Sequence, residues 1–555
     1  MVPIKYPKIP LAQSLIAICK AKGLKHIVIS PGSRNAPLTI GFASNPYFTC
    51  YSIADERCAA FFALGIAQQL EEPVAVVCTS GSAVLNYYPA VAEAFYSQIP
   101  LVIISADRPH DKIDIGDGQT IRQENVFSNH IISSTNLTEE VSDENDIAIQ
   151  NALHLADSEK GPVHINVPFE EPLYETVDAL SVETKWISFD DEIKRNFQLE
   201  NQFINQWKNS KKKLILIGEN KPSVIQNEIL EQLAADASVV VMTEKTSNLY
   251  HSKFVSNIDT IITPFTDAEF SFFQPDILIT FGGMVVSKRI KAFLRKYKPA
   301  AHWHIDERRA YDTYGCLTQH FKTKPDAFFE QLLENYTNTI SEYDLKMQEI
   351  ISLRRVRTAE YLKNIPFSDF KVFDSISKKL PHNIQLQISN SSAIRYLQLV
   401  DVDPSITVFC NRGTSGIDGS TSTAIGAARV QEKPTFFITG DISFFYDSNA
   451  LWNNYIPKNF KIILINNGGG GIFRILPGHE ENNVFTTFFE TSHRLNAKYL
   501  AAMFHFNYHW VDNEVDLEKT WSLFMHSNDQ PSLLEINTPE KLNNKILLDY
   551  FKYLK

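Results

Sequence analysis

Two short runs in the last third of the chain carry the clearest chemistry. Gly440-Asp441-Ile442-Ser443 follows one apolar run, and Asn466-Asn467 follows the next, Asn467 standing 26 positions after Asp441. A carboxylate and a carboxamide at neighbouring strand ends put two hard oxygen ligands on one rim. Such oxygens suit Mg²⁺ (or Mn²⁺), which keeps part of its water and completes its shell from phosphate. Gly468 and Gly469 let the backbone turn, so that a carbonyl of this loop can be a third protein ligand. Gly440 allows close approach of a diphosphate, whose oxygens the amides at the following helix start can bind. Taken alone, Gly440-Asp441 is an ordinary strand-to-helix turn with Asp as cap; the paired Asn at this distance makes it a metal and diphosphate rim. A second candidate is Glu56, in Asp55-Glu56-Arg57, two residues ahead of an apolar helix over Cys58–Ala67. A carboxyl against such a surface has its charged form disfavoured and can share a proton. The plainer alternative is a helix cap or a pair with Arg57. Finally, Arg34, Arg108, Arg395 and Arg412 stand at turns after apolar runs or at helix starts, joined by Lys288. Arg meets a carboxylate with two parallel hydrogen bonds, so the set implies a substrate with several carboxylates.

These residues need a frame. Ile27–Ile29, Val74–Cys78, Leu101–Ile104 and Val163–Val167 read as buried strands alternating with helical patterns such as Ala59–Leu70 and Ala83–Tyr96. The alternation recurs, after a polar passage at Asp178–Gln206, with Leu214–Ile217, Val239–Met242 and Ile277–Thr280. A charged helix over Tyr343–Lys363 leads to Ile406–Cys410, Thr435–Thr439 and Ile462–Ile465. The expected fold class is α/β, in three domains, each a mostly parallel sheet flanked by helices. The boundaries fall at 1–180, 181–345 and 346–555, in keeping with a length of 555 residues and roughly 150 residues per domain. In such sheets ligands bind beyond the carboxyl ends of the strands. The turns Ser30–Arg34, Thr79–Ser82, Ser105–Pro109, Asn411–Gly419, Gly440–Ser443 and Asn466–Gly471 are therefore where chemistry is expected.

Composition narrows the partners. With 53 Lys and Arg against 64 Asp and Glu, the net charge is −11, and phosphate-backbone binding needs a concentrated basic face, so nucleic acid is excluded. Lys211–Lys213 reads as a solvated strand entry. The six cysteines form no CxxC pair and no zinc-like spacing, which predicts buried free thiols. No apolar run approaches the roughly 20 residues that span a bilayer, and no signal pattern opens the chain, so a cytoplasmic protein without membrane insertion is expected. His164 and His304 read as satisfied core residues within strands.

The Gly440-Asp441 and Asn466-Asn467 pair resembles the thiamine diphosphate signature, with Ile442 where that signature has a second Gly. The ordered set Ser30–Leu38, Asp55–Arg57, Ser105–Pro109, Gln119–Gln123, Ser287–Arg289, Asn390-Ser391 with Arg395, Asn411–Gly419, Gly440–Ser443 and Ile472–Pro477 resembles one family. It is that of the SEPHCHC (2-succinyl-5-enolpyruvyl-6-hydroxy-3-cyclohexene-1-carboxylate) synthases of menaquinone biosynthesis. The resemblance implies a transferase that decarboxylates 2-oxoglutarate and adds the remaining unit to isochorismate. It implies that Glu56 activates the cofactor through its aminopyrimidine. Glu56, Ile417, Gly440, Asp441, Ile442, Ser443 and Asn467 would bind thiamine diphosphate, Ile417 propping its bent form. Asp441, Asn467 and Gly469 would hold the metal. Ser391 and Arg395 would take the 2-oxoglutarate carboxylate. Arg34, Arg108, Gln119 and Lys288 would face isochorismate, with Ser33 and Arg412 nearby and Ile472, Phe473 and Leu476 as apolar walls. It further implies a homodimer or tetramer with active sites between subunits. Gly118 replaces a polar residue found in many members, which removes one contact, and the Gly468–Gly471 run loosens the metal loop. Alternatives are a 2-oxoacid decarboxylase or acetolactate-type synthase, which would not call for so many Arg, and a cofactor-binding scaffold, which would not keep Glu56 and the metal ligands. A dinucleotide-binding middle domain is disfavoured because Gly218-Glu219-Asn220 is no GxGxxG.

Overall fold

The computed structural model describes residues 4–189, 197–334, 336–475, 480–526 and 529–555. Three parallel sheets organise it. The first has the strand order Thr49–Ser52, His26–Ile29, Val74–Cys78, Leu101–Asp107, Val163–Pro168, Ser133–Asn136. The middle sheet runs Val239–Thr243, Lys213–Ile217, Ile277–Phe281, Ala301–Ile305, Gln319–Phe321. The third runs Thr407–Phe409, Gln385–Ile388, Thr435–Gly440, Lys461–Asn466, Ser532–Asn537, Asn507–Val511. The first and third sheets share one topology: numbered within each sheet, both read 2-1-3-4-6-5. A short antiparallel pair, Tyr6–Pro7 with Thr176–Val177, ties the two ends of the first unit together.

Alternation within the strands builds the layers. In the first sheet Ala75, Val77, Val102 and Ile104 face one core, while Val74, Val76, Leu101 and Ile103 face another. That second core is continuous with Phe437, Ile462, Leu464 and Leu533 of the third sheet. Between the two sheets lie the helices Glu56–Leu70 and Ser420–Val430. Each follows the second strand of its unit, so they are topological equivalents packed face to face. Glycine sets their distance: a Cβ on Gly65 would fall 2.1 Å from the Thr423 carbonyl oxygen, and one on Gly426 2.0 Å from that of Phe62.

Several local expectations are revised. The strand expected to end at Ile104 continues to Asp107, because Ser105, Ala106 and Asp107 pair with Asn166, Val167 and Pro168. The helix expected over Ala83–Tyr96 is two, Ser82–Asn86 and Tyr88–Ser97, with Pro89 seated in the first turn of the second. Ile406–Cys410 contributes only Thr407–Phe409. Lys213 is not solvated. It is fully buried, its Nζ donating to Ser238 Oγ (2.9 Å), Tyr336 Oη (2.5 Å) and Thr339 Oγ1 (3.1 Å), with Asp236 at 3.5 Å. Ion pairing and hydrogen bonds offset its desolvation. Of the six free cysteines, Cys50 and Cys316 are only partly buried. The strand His164 is fully buried and bonded to Ser105 Oγ at 2.7 Å, as expected of a satisfied core histidine. Among the described residues no helix is long and apolar enough to cross a membrane.

The glycine contact yields a test whose sign is decided by backbone atoms. Gly→Ala in a helix ordinarily gains about 1 kcal/mol from propensity. At Gly426 the added methyl meets a carbonyl that no rotamer can move, and overpacking of this kind costs about 1–3 kcal/mol or more. Gly426→Ala should therefore lower the unfolding midpoint in denaturant; a stability equal to or above wild type would show that the two helices can separate freely.

Candidate active site

In a 2-1-3-4-6-5 sheet the crevice opens between strands one and three, where the connections part to opposite sides. In the third unit these are Gln385–Ile388 and Thr435–Gly440, so Ser389-Asn390-Ser391 and Gly440-Asp441 border the same opening. Asp441 is 3% exposed and begins the helix Asp441–Tyr446. Its Oδ1 accepts the Ile442 amide at 2.7 Å. Its Oδ2 accepts the amides of Asn467 (3.2 Å), Gly468 (2.9 Å) and Gly469 (3.0 Å). One carboxylate thus gathers the loop after the next strand. The four-glycine run is pinned rather than loosened: the Gly470 amide donates to the Glu490 carbonyl at 2.6 Å, and the Gly468 carbonyl accepts from His493 at 3.0 Å. Glycine is required there, since Gly468 has φ 78 and Gly469 φ 149, and a Cβ on Gly469 would stand 2.8 Å from the Glu490 carbonyl oxygen.

Asn467 is oriented from behind. Its Nδ2 donates to Asp369 Oδ2 at 2.9 Å, while its Oδ1 is buried with no hydrogen-bond partner. Asp369 is itself buried and accepts from Thr538 Oγ1 at 2.5 Å. Burial pushes its carboxyl up to about 6, against the hydrogen bonds from Thr538 and Asn467. His493 Nε2 lies 3.4 Å from Asp441 Oδ2, and that carboxylate raises the imidazole pKa. A Cβ on Gly440 would meet nothing within 4 Å, so the backbone there borders open space. Ser443 Oγ donates to the Ile417 carbonyl at 2.7 Å, fixing that residue above the helix start. An orphaned amide oxygen, a carboxylate and an unobstructed glycine form a donor set that fits a divalent cation carrying a diphosphate.

Glu56 is the first residue of its helix rather than two residues ahead of it, because Asp55 caps the helix through the Cys58 amide at 3.1 Å. Arg57 is not its partner: that guanidinium donates to the Tyr446 carbonyl at 2.9 Å and lies 3.9 Å from Asp447. Asp55 also accepts from Asn449 at 2.8 Å. Glu56 is half-buried, and burial, with a smaller contribution from Asp55, pushes its carboxyl above the usual range.

The cationic groups form two clusters. On the first rim, buried Arg34 donates to the Phe169 carbonyl (2.9 Å) and Glu171 (3.3 Å), its Nε unpartnered. Arg108 grips the Gly118 carbonyl through Nε (3.0 Å) and Nη2 (2.6 Å), so a backbone oxygen supplies a contact there despite the missing side chain. Gln119 (φ 58) follows and packs its backbone on Gly81, and Ser33 is exposed on the neighbouring turn. On the other rim, Ser391 starts a helix at φ 68, ψ −127, a conformation costing of order 1–3 kcal/mol and typical of binding sites. Arg412 donates to Asn390 Oδ1 at 2.6 Å with its Nε unpartnered, and Arg395 Nε is likewise buried and unpartnered. Burial and nearby Arg412 pull the Arg395 pKa down. Lys288 is exposed at the start of the helix Lys288–Lys296, whose cap Ser287 is bonded to Asp259; Asp259 and Arg395 also interact electrostatically. Ile472 and Phe473 lie in a single 3₁₀ turn, Gly471–Ile475. Leu476 lies outside the described residues.

Sequence reasoning missed the acids that hold these groups. Glu93 is 1% exposed and accepts the amides of Gly413 and Thr414, both at 2.7 Å; the only signal was a lone carboxylate on the apolar face Ala90, Val91, Ala94. Glu244 accepts the amides of Val286 (2.7 Å) and Ser287 (2.8 Å). Asp369 reads locally as an ordinary residue after the cap Ser368, and nothing in its neighbourhood announces Asn467.

Comparison with known proteins follows this geometry. Residues 9–147 match the N-terminal TPP binding domain of thiamine pyrophosphate enzymes, and residues 177–388 match the middle domain of thiamine pyrophosphate enzymes. Fold and site together define a thiamine pyrophosphate-dependent enzyme. The chain is 67% identical to the 2-succinyl-5-enolpyruvyl-6-hydroxy-3-cyclohexene-1-carboxylate synthase of Flavobacterium psychrophilum, across 99% of this chain and 100% of that one. It is 62% identical to the synthase of the same name from Flavobacterium johnsoniae, with the same coverage, and 37% identical to that of Bacteroides thetaiotaomicron, across 98% of each. The chain belongs to the 2-succinyl-5-enolpyruvyl-6-hydroxy-3-cyclohexene-1-carboxylate synthase family.

The acids near Arg412 make a pH prediction. Burial, then Glu93, push Glu219 up to about 8 from 4.5. The folded state keeps a proton that the unfolded chain releases first. The stability contribution is therefore full below about pH 4.5 and lost as pH rises through about 8. Glu219→Gln should gain stability relative to wild type progressively over that interval, read as denaturation midpoints. A difference between the two that does not change with pH would contradict the assignment.

Proposed function

We propose that this chain joins a decarboxylated 2-oxoglutarate unit to isochorismate, releasing CO₂ and forming 2-succinyl-5-enolpyruvyl-6-hydroxy-3-cyclohexene-1-carboxylate for menaquinone biosynthesis in the cytoplasm. The observation that carries the site assignment is the buried, unpartnered Asn467 Oδ1, held beside Asp441 by Asp369 at the switch point, in a chain of this family. On this reading 1–180 is the pyrimidine-binding domain, 181–345 the central domain and 346–555 the diphosphate-binding domain.

Asp441, Asn467 Oδ1 and the Gly469 carbonyl hold Mg²⁺ or Mn²⁺. Gly440, Ile442 and Ser443 receive the diphosphate, and Ile417 supports the thiazolium side. When bound, thiamine diphosphate supplies the electron sink that allows loss of CO₂ and formation of the new C–C bond. Glu56, whose carboxyl burial holds above the usual range, shares a proton with the aminopyrimidine. Arg395 and Ser391 orient one carboxylate of 2-oxoglutarate. Arg34, Arg108, Gln119 and Lys288 face isochorismate, with Ser33 and Arg412 nearby and Ile472, Phe473 and Leu476 as apolar walls of the pocket. Four carboxylates enter and three leave in the product, so the arginines must bind strongly while tolerating the loss of one charge. The direct test is incubation with thiamine diphosphate, Mg²⁺ and 2-oxoglutarate, with and without isochorismate, followed by mass spectrometry. The adduct should form only with both substrates; turnover of pyruvate instead would favour an acetolactate-type enzyme.

Glu56→Gln should keep fold and cofactor binding while turnover falls by about 10² or more, the scale of lost acid–base catalysis. Near-normal turnover would remove Glu56 from the mechanism.

The enzyme works as a homodimer, or a dimer of dimers, with each site shared between chains. In support, the start of the Glu56 helix meets Tyr446, Asp447 and Asn449 of its own chain, beyond the far end of the helix that Asp441 begins. Exposed Tyr446, Trp452, Phe488, Phe489, Tyr499 and Met503 in the third unit supply apolar surface for a partner. Mixing inactive Glu56→Gln chains with inactive Asp441→Ala chains should restore activity, because one site of a mixed dimer carries neither lesion. No recovery after verified subunit exchange would place the whole site in one chain.

A further inference from the structure

A second constellation lies in the middle unit. A ring nitrogen of His302, the Asp312 carboxylate and the Cys316 thiol have ligand atoms all within 4.8 Å of one another. His302 is fully buried on the strand Ala301–Ile305. Its Nε2 is bonded to Thr280 Oγ1 at 2.8 Å, and its Nδ1 is buried without any hydrogen-bond partner. Thr280 also meets His304 Nδ1 at 2.8 Å. With the single hydroxyl proton donated to His304, Nε2–H of His302 donates to Thr280, and Nδ1 keeps its lone pair. Fixing one ring nitrogen through a hydrogen bond so that the other can ligate is how metal-binding histidines are usually oriented.

The other two donors come from one rigid turn. Asp312 Oδ1 accepts the amides of Cys316 (2.8 Å) and Leu317 (3.0 Å), which sets the carboxylate in place and leaves Oδ2 to coordinate. Gly315 turns the chain at φ 68. The turn is tied down by Arg295, which donates to the Thr313 carbonyl, and Lys298, which donates to that of Gly315, each at 2.9 Å. Burial and the Asp312 charge raise the Cys316 thiol pKa. A cation between them would reverse that effect, since a coordinating thiol is deprotonated.

We propose that His302 Nδ1, Asp312 Oδ2 and Cys316 Sγ form a binding site for Zn²⁺, with a water in the fourth position, that clamps the 312–316 turn onto the middle sheet. Nitrogen and sulfur donors select zinc over magnesium, so this site is chemically separate from the all-oxygen rim at Asp441. Binding releases the thiol proton to solvent, and the neutral imidazole, carboxylate and thiolate together balance the two positive charges of the ion.

The test uses the holoenzyme saturated with thiamine diphosphate and Mg²⁺, with Co²⁺ added as a spectroscopic substitute. A thiolate-to-cobalt charge-transfer band should rise in the near ultraviolet, saturate at one Co²⁺ per chain, disappear on adding Zn²⁺ and be lost in Cys316→Ser. Cys316→Ser should leave turnover in Mg²⁺ unchanged, which also shows that it folds. A second measurement is alkylation by iodoacetamide, read by peptide mass: Zn²⁺ should protect Cys316, and chelation should remove the protection. No charge-transfer band, a band of full strength in Cys316→Ser, or equal alkylation of Cys316 with and without Zn²⁺ would overturn the proposal.

Discussion

The approach of Gly65 and Gly426 to the backbone of each other's helices fixes the geometry on which the site rests. Two helices that meet carbonyl to Cα cannot slide without breaking contact along their length. The helix starting at Glu56 and the helix starting at Ser420 are therefore locked, and each carries its own sheet rigidly behind it. The two sheets share one topology, and the helices that meet between them are topological equivalents. Chemistry breaks that equivalence: one rim carries a carboxyl that can hold a proton, and the other carries the carboxylate and amide suited to a cation.

Around this frame, buried charge is balanced across unit boundaries. Glu93 of the first unit, Glu219 and Glu244 of the second and Arg412 of the third meet at one junction, and Asp259 faces Arg395 nearby. Backbone amides satisfy Glu93 and Glu244 directly. Asp259 partly offsets the repulsion between the two arginines, which still pulls the Arg395 pKa down. The Nε atoms of both guanidinium groups are buried and unpartnered, so an anion placed there would find donors already stripped of water.

The sequence exposed what depends on local pattern. Apolar runs marked the central strands, and the turns after them marked the rims, because a parallel sheet places its ligands there. Edge strands such as Thr49–Ser52, Ser133–Asn136 and Asn507–Val511 were not read, since they are short and only half buried. The Asp441 and Asn467 pair was visible because both residues end adjacent strands. Asp369, which orients Asn467, was not, because its contact joins helix and loop residues 98 positions apart. Glu56 was found but placed outside its helix, the capping role of Asp55 being indistinguishable by residue type from its neighbour's. The burial of Lys213 went unread for a similar reason: its partners Asp236, Ser238, Tyr336 and Thr339 lie far along the chain.

The helix Glu56–Leu70 buries every residue from Cys58 to Gln68, part of it against a helix that ends at Val430. On a ribosome adding roughly 5–20 residues per second, about 20–70 s separate the appearance of the first helix from that of the second. During that interval the first sheet can form, yet the face meant for Ser420–Val430 has nothing to cover it. The nascent chain thus leaves uncovered the face of this helix that carries Phe61, whose ring packs against Gly419 in the finished protein, while two thirds of the protein is still being made. Until the third unit is made, that face is an apolar surface open to wrong partners, which is the usual hazard of a partly synthesised multidomain chain.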